Sequence, residues 1–163
     1  MFESSMTYIP IEEYPKAWIF RHRELPVDAD DLQQIKPMTV ERSEQIWSEH
    51  VSRESLHPEH FAEGDWAADD SVWCGTERWQ SAWDSALNNL PSLLEEHLGE
   101  WDDNTTVYFC YESEHVLETK WGVFRRNWKN FLFFDNGPVL LGRKRKQVAQ
   151  FFENGQYRIG NRS

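Results

Sequence analysis

Imidazoles, carboxylates and thiols carry much of protein chemistry, and this chain places them in incomplete groups. His50, His57 and His60 fall within eleven residues, with Glu54 and Glu59 among them and Glu63 three residues on. These are donor types for zinc or a redox metal when three or four converge at about 2.0–2.2 Å. The order His57-Pro58-Glu59-His60 lacks the i, i+4 helical pairing that turns two histidines toward one ion. Surface histidines in an acidic loop are the simpler reading, and no metal or cofactor is assigned. Cys74 sits between Trp73 and Gly75 near an expected helix start, where a thiol can be activated. Cys110 lies within an aromatic strand, the ordinary place for an inert buried thiol. The two are not in Cys-x-x-Cys spacing, and nothing requires His97 or His115 to act as a base beside either.

There is no Gly-x-Ser-x-Gly elbow, phosphate-binding glycine loop or dinucleotide fingerprint. Adjacent carboxylates such as Asp30/Asp31, Asp69/Asp70 and Asp102/Asp103 are abundant. Acid–base catalysis needs two environments that split their pKa values, which abundance does not provide. No catalytic residue is assigned. A small enzyme or metal-binding protein would have to use Cys74 or the His50/His57/His60 group.

Binding chemistry is better represented. Arg143-Lys144-Arg145-Lys146 is the sharpest local charge feature. With Arg125, Arg126, Lys129, Arg158 and Arg162 it could follow a phosphate backbone, Trp128 or Tyr157 stacking on bases. It could equally face an acidic protein, or be a solvated loop. Trp66 and Trp73 lie in acidic loop sequence and are candidate anchors for a partner, since indole joins a large apolar area to a polar N–H. The candidate binding surface is therefore Trp66, Trp73, Arg125, Arg126, Lys129, Arg143, Lys144, Arg145 and Lys146.

The elements that position these groups read as an α+β domain spanning 1–163. Met1–Ser5 is an expected frayed end, Thr7–Ile11 at best an edge strand, Lys16–His22 a short strand or the approach to one, and Asp28–Ile35 one or two helical turns. Thr39 caps a helix through Val51, and Ser52–Ser71 forms an acidic loop anchored by Leu56, Phe61 and Trp66. Trp79, Ala82, Trp83, Ala86 and Leu87 make Thr76–Leu87 the clearest helical pattern, with Thr76 as its cap. Asn88-Asn89 break it, and Pro91–Leu98 is a second helix ended by Gly99. Thr106–Tyr111 and Val116–Thr119 form a hairpin, followed by a short helix at Gly122–Asn130. Pro138–Leu141, Gln147–Glu153 and Gln156–Ile159 complete a meander, the last two joined at Asn154-Gly155. The antiparallel sheet thus comes largely from the C-terminal half, packed with helices from the N-terminal half and one helix between strands.

At 163 residues the chain is long enough to bury a core. Aromatic content of 15% argues against disorder. No apolar run reaches bilayer length, and the first twenty residues lack a basic start and an unbroken apolar stretch. With only two cysteines, the expectation is a cytoplasmic chain with reduced thiols and no membrane contact. Residues 1–115 hold 7 Lys/Arg against 25 Asp/Glu, and residues 116–163 hold 10 against 3, making the chain electrically two-ended.

The run Val107-Tyr108-Phe109, then Glu118-Thr119-Lys120-Trp121-Gly122-Val123-Phe124, Trp128-Lys129-Asn130-Phe131 and Gly160-Asn161-Arg162, resembles a family of small uncharacterised proteins found mainly in gammaproteobacteria. The resemblance implies no activity. The layout also loosely resembles bacterial immunity and regulatory domains that bind another protein, an analogy of fold alone. A non-enzymatic protein-binding or regulatory module is the leading expectation. A nucleic-acid-binding domain using the basic C-terminal region is the alternative.

Overall fold

Alternation along one strand sets the layers. In β3 (Thr106–Glu112), Val107, Phe109 and Tyr111 belong to one buried cluster, while Tyr108 and Cys110 belong to another. Successive side chains leave a strand on opposite faces, so both faces of this strand must be covered. The computed structural model describes residues 7–58, 60–87 and 89–162. The end expected at Met1–Ser5, Glu59 of the histidine group and Asn88 of the expected break lie outside them.

The seven-stranded antiparallel sheet has the order β1 (Lys36–Pro37), β4 (His115–Lys120), β3, β5 (Val139–Gly142), β6 (Gln147–Phe151), β7 (Gln156–Asn161), β2 (Trp73–Arg78). The α+β class and the C-terminal origin of most strands agree with the sequence reading. One face carries Val107, Phe109, Leu117, Leu140, Ala149, Phe151, Tyr157 and Ile159. It is covered by α4 (Ser92–Leu98), α5 (Trp121–Phe131) and the 3-10 turn Ala17–Phe20. The other face carries Tyr108, Cys110, Val116, Val139, Leu141 and Val148, covered by α2 (Val40–His50) and by Val51, Phe61 and Trp66. Thr39 caps α2 as expected, its Oγ1 accepting from the Arg42 N–H at 3.2 Å.

The stretch Thr76–Leu87, expected as a helix, divides differently. Trp73–Arg78 is β2, paired with β7 from Trp73↔Gly160 to Arg78↔Gln156, and only α3 (Gln80–Asp84) is α-helical. Its local period favoured a helix, but a bare β7 edge offers backbone bonds along a whole strand, and the long-range pairing prevails. Lys16–His22 also departs from expectation. It holds the 3-10 turn Ala17–Phe20, fixed by the Asn130 amide donating to Ile19 O and Leu25 O, both at 2.8 Å. The one or two turns expected near Asp28–Ile35 are α1 (Ala29–Gln33). The long acidic loop is packed down, with 3-10 turns at Trp66–Ala68 and Asp70–Val72.

β2 also caps α4. Glu77 accepts from the Leu93 N–H at 3.1 Å and the Ser92 hydroxyl at 2.9 Å, while Tyr157 Oη accepts from the Leu94 N–H at 2.9 Å and donates to Glu77 at 2.5 Å. Burial pushes the Glu77 carboxyl up, but these donors outweigh it and hold it below its ordinary value. Tyr157→Phe is expected to lower unfolding free energy by about 1–3 kcal/mol, because it orphans a helix N–H and removes a donor to a carboxylate. Urea unfolding measures this, and an unshifted midpoint would contradict the capping role.

Candidate functional site

Chain reversal between β5 and β6 is made by Arg143-Lys144-Arg145-Lys146, all four side chains exposed. The turn is held from three directions. The Arg145 N–H donates to Gly142 O at 3.1 Å and the Arg143 N–H to Thr106 O at 2.8 Å. From the end of β7, the Arg162 guanidinium donates to Gly142 O at 3.3 Å and Arg145 O at 3.2 Å. Beneath it, a Cβ added to Gly142 would lie 2.8 Å from the Trp101 ring and 2.9 Å from Arg145 Cγ, so only glycine admits this close packing.

Lys144 has φ 59°, the left-handed region that glycine or asparagine fills at least cost. Among the described residues it is the one non-glycine with positive φ. None of the four cations joins an ion pair with a described residue. Lys120, at the same end of the sheet, donates to Thr106 Oγ1 at 3.2 Å. The result is a rigid cationic knob.

The remaining expected cations are engaged within the fold. Arg125 meets Asp103 at 2.6 Å. Arg126 grips Asp31 with two donors at 3.1 and 2.8 Å, and Asn127 adds a third at 2.9 Å. Lys129 is buried, donating to Ser85 O and Leu87 O at 2.8 Å, and burial lowers its pKa. Arg158 donates to Gln150 and stacks 3.8 Å over the Trp73 ring. The stackers proposed for nucleic acid, Trp128 and Tyr157, are fully buried in the core, which corrects that expectation: each fills volume between α4, α5 and the sheet.

Trp66 and Trp73 are half-buried, 5.9 Å apart, and their N–H groups donate to His50 O at 2.8 Å and Ala67 O at 3.0 Å. With Trp47, which donates to Ser55 O at 2.6 Å, they pin the acidic loop to the sheet. The histidines face different partners. His50 stacks on Tyr108, with burial and then Arg162 lowering its pKa. His57 sits 3.7 Å from Glu112, and His60 is exposed. Among the described residues no group of three or more His, Cys, Asp or Glu could hold a metal ion. Cys74 is exposed on the edge strand β2. Cys110 is fully buried, and burial pushes its thiol up to about 12. No helix among the described residues is long and apolar enough to cross a membrane.

Two features escaped sequence reasoning. Arg162 braces the turn, and only the β7 register places it there. Trp18 is 50% exposed, although its neighbours Ala17, Ile19 and Phe20 are buried. An indole in a run that reads as a strand gives no such signal.

The model of a family described as protein of unknown function (DUF2947) matches residues 8–160, and the chain belongs to that family. No curated protein and no solved structure matches it.

Proposed function

We propose that this chain is a non-enzymatic protein-binding module, regulatory or immunity-like, that docks the basic turn Arg143–Lys146 onto an acidic surface of a partner protein in the cytoplasm. The observation that carries the reading is Lys144. A left-handed backbone costs a lysine about 1–2 kcal/mol, which a glycine would not incur. Cost at a braced, solvent-facing turn is understood when the side chain has work outside the fold. Four cations that pair with no described residue, on a braced support, fit a pocket of carboxylates, and their effect falls mainly on association rate and orientation. Nucleic acid fits less well. Arg125, Arg126 and Lys129 are engaged internally, and Asp102 and Asp103 sit exposed next to the strand that receives the turn.

Lys144→Gly is expected to raise unfolding free energy by about 0.5–1 kcal/mol while weakening partner capture. A less stable glycine variant would remove the argument from strain. The binding test captures proteins from a native-host lysate on the immobilised full chain, beside a variant with all four turn residues changed to Glu. The expected outcome is an acidic protein retained by the unaltered chain, eluted by salt and missing from the variant. Equal retention by both, or bound material removed by nuclease, would overturn the reading.

A further inference from the structure

A second surface, independent of the basic turn, is built around Trp18. The 3-10 turn that carries it is anchored by Ile19 and Phe20 in the core and by the Asn130 amide, so the indole is presented rather than loosely attached. It rests against Phe133 and Phe134, with ring centroids 5.6 and 5.5 Å away. His22 stacks on Phe133 at 5.1 Å, and Trp83 meets the same ring edge-on at 5.7 Å. Beside this bed lies an open cleft of ≈ 630 Å³, lined by Trp18, Arg21, His22, Arg23 and Glu24. Lys16 closes another side, its ammonium 4.2 Å over the Phe134 ring. Lys16, Arg21 and Arg23 join no ion pair with a described residue, and Glu24 is the one carboxylate in the lining.

Single exposed apolar residues are normal on a soluble protein, but a tryptophan on a bed of rings with a cationic rim is an anchor site. We propose that this surface binds a short peptide segment of a partner protein, one carrying an aromatic or large aliphatic anchor flanked by acidic residues. The anchor lies against Trp18, Phe133 and Phe134, and the flanking carboxylates meet Arg21, Arg23 and Lys16. The charge of the rim selects this occupant over a second copy of the chain. A two-fold contact through the same patch would set Lys16, Arg21 and Arg23 against their own counterparts.

The test is selection from a phage-displayed library of random short peptides on the full chain at low salt. Binders are expected to hold an aromatic or leucine residue among Asp and Glu. Trp18→Ala should weaken the selected peptide at least about tenfold, while circular dichroism stays unchanged because the exposed ring is not a core residue. Arg21→Glu with Arg23→Glu should weaken it as well, leaving the aromatic bed intact. The variant with its basic turn reversed should bind the peptide as the unaltered chain does, which separates this site from the turn. Failure to enrich any sequence, enrichment of basic sequences, or equal affinity for the Trp18→Ala chain would overturn the proposal.

Discussion

Replacing Phe109 with alanine is expected to lower unfolding free energy by about 3–5 kcal/mol, the largest effect of any single change considered. Phe109 is fully buried in the middle of the interior strand β3 and meets Tyr111, Phe124, Phe131 and Phe151 with centroids between 5.0 and 6.1 Å. Its ring therefore couples the sheet to both ends of α5. Removing it takes away the transfer energy of a buried phenyl and leaves a cavity that four other rings cannot collapse to fill. Equilibrium urea denaturation measures the loss. A change below about 1 kcal/mol would mean that this cluster is not the core.

The second large effect belongs to Asp31, whose side chain is 8% exposed beneath Arg126 and Asn127. Asp31→Asn keeps the shape and removes the charge, turning an amide toward a guanidinium. The expected loss is about 2–3 kcal/mol at neutral pH, below the range for fully buried pairs because Arg126 is 47% exposed and screened by water. The hydrogen bonds from Arg126, aided by Asn127 and opposed by burial, hold the carboxyl below its ordinary range. A depressed folded pKa gives stability that is whole above the unfolded value of about 3.9 and is lost as pH falls through the folded value. The gap between wild type and Asp31→Asn should therefore narrow on acidification below about pH 4. A gap that stays constant from pH 7 to pH 3 would show that the ion pair is not its source.

These two residues also mark what sequence can and cannot convey. Phe109 is legible as a core residue, because the apolar run Val107–Tyr111 marks a buried strand and Trp121, Phe124, Trp128 and Phe131 fall at the helical spacing of an element that covers it. The hairpin at Asn154-Gly155 is equally legible, with Gly155 at φ 83° as such a turn requires. Asp31 is not. Its partners lie 95 and 96 residues away, and it reads as one more surface carboxylate. The same limit governs the basic residues. Their charge is plain in the sequence, but which cations are already neutralised depends on Asp31 and Asp103 arriving from elsewhere in the chain. β2 was hidden for a related reason: its helical local period is outweighed by pairing with a strand some eighty residues further on.

Whether the basic turn meets an acidic protein is tested most directly by the association rate of the captured partner. Measured by surface plasmon resonance at low and at physiological ionic strength, the rate should fall by about tenfold or more when all four turn residues become glutamate, and its dependence on salt should flatten. Matching rates and matching salt dependence for the two proteins would contradict the central claim.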